Sequence, residues 1–332
     1  MLLHSKLTTL HVTSMLLEHF AGDPQATPEC LLRGSGISEA ELGNPDARIT
    51  RLQEQQVCAN ALPYCPELGL ELGRRMHLTA YGLIGYGALS SRTFGDAWQL
   101  LLQYPALLGT YFCLQLTVEE DLAWVSASDY IFTDDLQVFN VEMCLASLKL
   151  VCEDLLGRPL LPVAAEFRHA CPDYVAHYTS SFACPIRFQA ARNAFAFPSR
   201  LLEQRLPLAD PLTNVDILER CRRLNAEFSS WQVWLERVRQ SLAKDLANPP
   251  AIEQLARQLH CSPRTLRRHL QALGTSYQEL LDQLRFSRAK VLLGEQDLPM
   301  SRVAEVLGFS ETASFRHAFV RWSGMPPSRF RR

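Results

Sequence analysis

Hydrophobic and polar positions along this 332-residue chain change period several times, and each change predicts an element. Residues 7 to 20 and 50 to 61 repeat at helical spacing. Thr93, followed by apolar residues at 97, 98, 101, 102 and 105, predicts an amphipathic helix with a hydroxyl at its N-cap. From Tyr111, in YFCLQLTVEEDLAWVSA, apolar and polar positions alternate on both sides of Glu119-Glu120-Asp121, which predicts an antiparallel hairpin with a polar turn. A long helical stretch over about 136 to 156 follows. Short β-like runs come next at 162 to 168, 185 to 188 and 194 to 197, with a helix at 173 to 182. This mixture predicts one α+β domain over residues 1 to 205.

Beyond it the β period disappears. LPLADP, residues 206 to 211, punctuates the chain with two prolines, and LTNVDILERCRRLNAEF then reads as a helix that links domains over 206 to 230 or forms a dimer contact. Trp234, Val238, Leu242 and Leu246 recur every four residues on a further helix, which Asn248-Pro249-Pro250 stops. The remainder predicts an all-α domain over 231 to 332. In IEQLARQLHCSPRTLRRHL, Leu255, Ala256 and Leu259 share a face and the pattern breaks at His260-Cys261. It restarts with Ser262 as N-cap and Pro263 at the first helical position. Helix, tight turn, helix is the resulting order. The turn usually takes glycine because it needs a left-handed residue; histidine, which stands here, tolerates positive φ better than most.

The same order returns 48 residues later: Val303, Ala304 and Leu307 precede Gly308-Phe309, and Ser310 caps ETASFRHAFVRW. Ala256 maps to Ala304, Leu259 to Leu307 and Ser262 to Ser310; with one residue inserted, Leu266 and Leu270 correspond to Phe315 and Phe319. SYQELLDQLRFSRAKVLL, between the two copies, is long enough for a connecting helix. Steps of 100° per residue then sort the side chains. If Leu266, Leu270 and Leu273 are buried, Arg264, Arg268 and Gln271 lie opposite, with Thr265 and Arg267 on the flanks. Burying Phe315, Phe319 and Trp322 puts Ala313 and His317 opposite, beside Thr312, Ser314 and Arg316. Such side chains reach base edges in a major groove, arginine preferring guanine O6 and N7, while the other basic residues, Arg321 among them, neutralise phosphates.

Charge supports that division. The chain holds 33 basic and 35 acidic residues, yet residues 251 to 332 are net +6 and residues 1 to 250 net −8. A basic end on an acidic body is the electrostatic footprint of a nucleic-acid-binding module attached to something else. A solvated basic face would look the same for one R-x-x-R-R segment; the duplicated, capped frame argues against it.

These residues resemble the AraC/XylS family of bacterial transcription regulators. SPRTLRRHL, VAEVLGFSETASFRHAFVRWSGMPPSRFR and the helix between them are similar to that family's DNA-binding domain over residues 231 to 332. Gly308-Phe309-Ser310, Phe315, Ala318-Phe319, Arg321-Trp322, Gly324 and Pro327 stand where the family pattern has them. The resemblance implies two helix-turn-helix units joined by a long helix, with recognition helices in successive major grooves. Its base-reading positions would be Arg264, Arg267 and Arg268 in the first unit, and Thr312, Ala313, Arg316 and His317 in the second. LGLELGRRMHLTAYGLIGYGALSSRTFGDAWQLLLQY and FACPIRFQAARNAFAFPSRLLEQRLPLADP are similar to the "arabinose-binding" type of N-terminal domain found in ornithine-utilisation and virulence regulators. That name does not announce a sugar ligand.

Other chemistry finds less support. GLIGYG, residues 82 to 87, follows no strand and precedes no P-loop lysine, so helix packing or a turn accounts for it. His169, Cys171 and His177 match no zinc spacing and lack a fourth ligand, so no metal is expected. No G-x-S-x-G elbow occurs, and no enzymatic reading or cofactor is expected. Ten scattered cysteines without a C-x-x-C pair or a secretory signal read as reduced thiols. The N-terminus reads as neither signal peptide nor membrane span, and a cytoplasmic location follows. Arg74 and Arg75 with Tyr81, Tyr86, Tyr111 and Trp124 fit an effector pocket with an anion-binding end, and equally fit buried aromatics beside surface arginines. The effector site therefore stays unassigned.

The expectation is a sequence-specific regulator of double-stranded promoter DNA, an activator and a homodimer, with a small-molecule effector and a contact to RNA polymerase. The alternative is a ligand-sensing or protein-interaction module whose basic end binds DNA without sequence preference.

Overall fold

The structure, a computed structural model, describes residues 8–44, 47–132, 135–273, 275–294, 298–323 and 325–330. Gly324 of the family pattern and Leu7 at the start of the first expected helix lie outside the described residues. The chain divides into two compact units, one of residues Thr8–Phe228 and one from Ser229 to the C-terminus.

In the N-terminal unit, β1 (Thr8–Thr9) and β2 (Arg48–Ile49) make a small antiparallel pair. A five-stranded sheet is built from β3 (Cys113–Glu119), β4 (Leu122–Ser128), β5 (Ala164–Glu166), β6 (Ile186–Arg187) and β7 (Ala194–Pro198). Its spatial order is β3-β4-β7-β5-β6, antiparallel except for the β5-β6 pair. The expected hairpin is β3-β4, turning at Glu120, which takes a φ of 54°. Its alternation works as read: Ala123, Val125 and Ala127 point into the core, while Leu122 and Trp124 meet Ala194 and Ala196 on the other face.

A central helix, Gln137–Leu156, explains why this unit needs so apolar a segment. Leu145, Leu148 and Val151 face the sheet-side core, whereas Phe139 and Met143 enter a second core with the helices His11–His19 and Arg51–Ala61. A helix enclosed on two sides carries apolar residues most of the way round. Gly157, left-handed at φ 65°, ends it. Thr93 caps the helix Phe94–Gln103 in a reciprocal pair with Asp96, as its sequence signals. The glycine cluster forms the helix Gly82–Leu89, where a Cβ on Gly85 would lie 2.1 Å from the Leu78 carbonyl oxygen. Close packing is therefore the reason for Gly85 and Gly87, whereas Gly82 stands in open space at a φ of 55°.

The linker differs from expectation. In place of two helices between Leu206 and Asn248, one helix spans Pro211–Ala243. Nothing between Leu212 and Asn248 is a glycine or a proline, so no residue removes a helical hydrogen bond or clashes with the preceding turn. Ile217 and Cys221 of this helix belong to the N-terminal unit's core, and Leu235, Val238 and Leu242 to the C-terminal unit's.

The C-terminal unit contains the helices Ile252–Gln258, Pro263–Ala272, Tyr277–Gly294, Met300–Val306, Thr312–Ser323 and Pro327–Phe330. They pack as two small cores, the first around Leu255, Leu266 and Leu270 and the second around Val303, Phe315 and Phe319. The connecting helix Tyr277–Gly294 supplies Leu280 to the first core and Ala289, Leu292 and Leu293 to the second. One element therefore carries both halves.

Candidate nucleic-acid interface

Both halves close their turns with the same backbone bond, and the first also caps its recognition helix. The Ser262 hydroxyl accepts from the Thr265 N–H at 3.0 Å, satisfying one unpaired donor at the start of Pro263–Ala272. The turn before it closes with Cys261 N–H donating to the Ala256 carbonyl at 3.0 Å, and its counterpart closes with Phe309 N–H on the Ala304 carbonyl at 2.9 Å. Between these bonds stand His260 at φ 54° and Gly308 at φ 78°, both left-handed as the duplicated frame requires. The two positions differ in space. A Cβ on Gly308 would lie 2.5 Å from the Ala247 carbonyl oxygen and 2.6 Å from Arg285 Nη2, whereas His260 is exposed. Only the second turn excludes a side chain, so only the first tolerates histidine.

Leu266, Leu270 and Leu273 are buried, which turns Arg264, Arg267, Arg268 and Gln271 to solvent. Thr265 is half-buried, and its hydroxyl lies 2.9 Å from that of Ser262, inside the cap. Arg267 faces Glu253 of the preceding helix at 3.7 Å, with both side chains largely exposed. Arg264 and Arg268 have no ion-pair partner among the described residues. On the second helix Phe315 and Phe319 are buried and Trp322 half-buried, while Ala313, Ser314, Arg316 and His317 are exposed and Thr312 is half-buried at the first turn. Arg316 borders a surface hollow of about 310 Å³ with Met300, Val320 and Pro327.

Arg321 stands apart from the rest of the set. Its Nη2 donates to Asp282 of the connecting helix at 2.8 Å, so it braces the second recognition helix against the scaffold. Arg285 does comparable work at the turn, donating to the Leu246 carbonyl at 3.1 Å with its guanidinium 5.1 Å from the Phe309 ring centre. Neither partner is visible in the sequence, because Asp282 and Leu246 are 39 residues from the arginines they hold.

The residues that fit an effector pocket in sequence are not brought together. Arg74 is bound to Glu71, and Arg75 to Glu18, each at 2.9 Å. Tyr111 is buried and donates to Glu54 at 2.8 Å, Trp124 lies under Arg192 at 3.7 Å, and Tyr86 is exposed. His169 and His177 separate as well: the first meets Tyr178 and the Ala170 carbonyl, the second Glu71.

Two helix-turn-helix units with polar outward faces, sharing one connecting helix in a chain that also holds a mixed α/β domain, define a DNA-binding regulator of the helix-turn-helix class. Similarity to known proteins narrows the class further. A family model described as the arabinose-binding domain of AraC transcription regulators, N-terminal, matches residues 26–206, and a helix-turn-helix domain model matches residues 255–332. The chain belongs to the AraC family of DNA-binding transcription regulators. It is 34% identical over 305 residues to the ornithine utilization regulator of Pseudomonas aeruginosa, covering 91% of this chain and 90% of that one. It is 27% identical over 286 residues to the regulator VqsM of the same organism, covering 81% and 84%. Among solved structures, the regulator CdpR from Pseudomonas aeruginosa aligns over 80% of this chain and 86% of its own, with 29% identity and a TM-score of 0.42. The sequence relatives are transcription regulators and not enzymes. No helix among the described residues is long and apolar enough to cross a membrane.

Proposed function

We propose that this regulator is a homodimeric activator in the bacterial cytoplasm that reads promoter DNA through both recognition helices. A small-molecule effector acts on its N-terminal domain, and a surface of the DNA-bound protein contacts RNA polymerase. In this reading Arg264, Arg267 and Arg268 reach base edges in one major groove, with Gln271 and Thr265 beside them. Thr312, Ala313, Ser314, Arg316 and His317 face the next groove. Arg321 serves the phosphate backbone from its brace on Asp282.

One observation carries the reading: exposed arginines project from two recognition helices whose cores are joined by a single connecting helix. Successive major grooves on one face of B-DNA recur about every 34 Å. A fixed pair of helices can match that repeat, whereas a loosely tethered basic tail cannot. The domain limits that accompany it are residues 1 to 205 for the effector and dimerisation domain, 206 to 230 for the linker and 231 to 332 for DNA binding.

The test is titration of the purified protein against DNA upstream of its own and adjacent genes, with random competitor at about physiological salt. A protected site two major grooves long per subunit is expected, with Arg268→Ala costing about 1 to 3 kcal/mol at its base pair. Equal affinity for random DNA would reduce the C-terminal unit to an electrostatic tether. Sedimentation of the full-length protein checks the dimer separately.

A further inference from the structure

In the N-terminal unit a hollow of about 280 Å³ opens where the first turn of the central helix meets the chain after β5 and the residue before β7. Gln137, Val138, Val141, Arg168, His169 and Asn193 line it. We propose that this hollow binds a compact organic acid, its carboxylate held by Arg168 and Asn193 at the helix N-terminus and its apolar part lying on Val138 and Val141. The proposal rests on the N-terminal domain being the effector-binding one and names the chemical class of the effector.

Asn193 is the most informative residue. Only 5% of it is exposed, its side-chain oxygen accepts from the Arg168 N–H at 2.9 Å, and its backbone carbonyl accepts from Ala127 at 2.9 Å. The amide oxygen is thereby fixed, and the Nδ2 group, with no partner among the described residues, is left for the hollow that the side chain lines. Nδ2 is not sealed from solvent, so it is free to donate to an acceptor that enters the hollow.

Charge points the same way. Arg187 and Arg192, on neighbouring parts of the sheet, are neutralised by Glu166 and Glu119. Among the described residues Arg168, which is exposed, has no ion-pair partner, and no carboxylate lines the hollow. The central helix adds its own field. It is 20 residues long, and its first turn, which begins with Gln137 and Val138, holds no acidic residue, Asp135 standing before the N-cap. Such an end carries about half a positive charge and favours an anion. His169 contributes a wall, since Nδ1 is 2.9 Å from the Ala170 carbonyl and Nε2 is 3.1 Å from the Tyr178 hydroxyl. A guanidinium and a side-chain amide together suit a carboxylate, and the volume lies just below the ~300 to 1,000 Å³ of drug-sized sites.

The experiment measures binding of sodium butyrate to the full-length protein by calorimetry and saturation-transfer NMR, with n-butylammonium and inorganic phosphate as separate arms. Saturable butyrate binding is expected, weakened at least tenfold by Asn193→Asp, which keeps the acceptor for Arg168 N–H and puts a negative charge in the hollow. Arg168→Ala, a change to an exposed side chain, should weaken it comparably and guards against misfolding of the Asn193 variant. Undiminished butyrate binding in a folded variant, or butylammonium binding as well as butyrate, overturns the proposal. Phosphate binding as tightly as butyrate overturns the organic-acid assignment. A protein that reads its promoter yet takes no acid in this hollow refutes the pocket and leaves the regulator reading intact, whereas loss of promoter specificity strikes that reading instead.

Discussion

Gly308 and His260 occupy the same place in two copies of one motif, and the difference between them is measurable. Gly308→Ala introduces a left-handed alanine, costing about 1 to 2 kcal/mol, and a Cβ 2.5 Å from a backbone oxygen, so the total should exceed that figure. His260→Gly, at a φ of 54° in an exposed turn, should be neutral or stabilising by up to about 1 kcal/mol. Urea midpoints of the full-length variants check both, and a destabilising His260→Gly would mean the imidazole makes an interaction the turn depends on. At this scale the sequence is informative. Leu266, Leu270, Phe315 and Phe319 are identifiable as inward because helical spacing fixes which side chains share a face. Arg321 is less so: periodicity shows that it points outward but not that Asp282 receives it.

Elements turn these residues into a reading surface. The brace between Arg321 and Asp282 is an exposed ion pair on the arginine side, so its stability contribution should be under about 1 kcal/mol. Its effect on DNA binding should be larger. Asp282→Ala removes the competing carboxylate, and the affinity for promoter DNA should rise, while Arg321→Ala should lower the slope of log K against log salt by about 0.9, the share of the single phosphate that Arg321 neutralises. Salt titrations of both variants decide this; an unchanged slope in Arg321→Ala would mean that the residue only braces the helix. The uninterrupted helix Pro211–Ala243 belongs here too. Its continuity is written in the absence of glycine and proline, yet the change of face from Ile217 and Cys221 to Val238 and Leu242 obscures it, because each end is patterned for a different core.

For the whole molecule the most consequential buried groups are two carboxyls of the N-terminal unit. Glu54 accepts from Tyr111, and Glu142 from Tyr174 and Tyr178, while the second oxygen of each has no partner among the described residues. Burial pushes both up from 4.5 to about 7, against the opposing pull of those hydroxyls. A carboxyl raised on folding binds its proton more tightly in the native state, so its stabilising effect is complete below about 4.5 and is lost as pH rises toward 7. The shift corresponds to roughly 3 kcal/mol per group at about 1.36 kcal/mol per pH unit. Thermal melts should therefore fall between pH 5 and 7.5, and Glu54→Gln or Glu142→Gln should flatten that fall. A wild-type melting temperature that rises over this range would show that both carboxyls ionise without penalty.

Taken alone, the sequence determined the α+β and all-α division, the β3-β4 hairpin, the two helix-turn-helix frames with the Ser262 cap of the first, and the outward face of each recognition helix. All of these follow from spacing within some twenty residues, and local spacing is what a linear pattern encodes. The cap expected from Ser310 is not formed, since the second helix starts at Thr312. Tertiary structure decided the rest. It scattered the arginines and aromatics that fit an effector pocket on paper, tied Arg321 to Asp282 and Arg285 to Leu246, and set Arg168 beside Asn193 at the head of the central helix. Those partners stand 25 to 39 residues apart, and only burial of the apolar segments between them brings such polar groups within hydrogen-bonding distance.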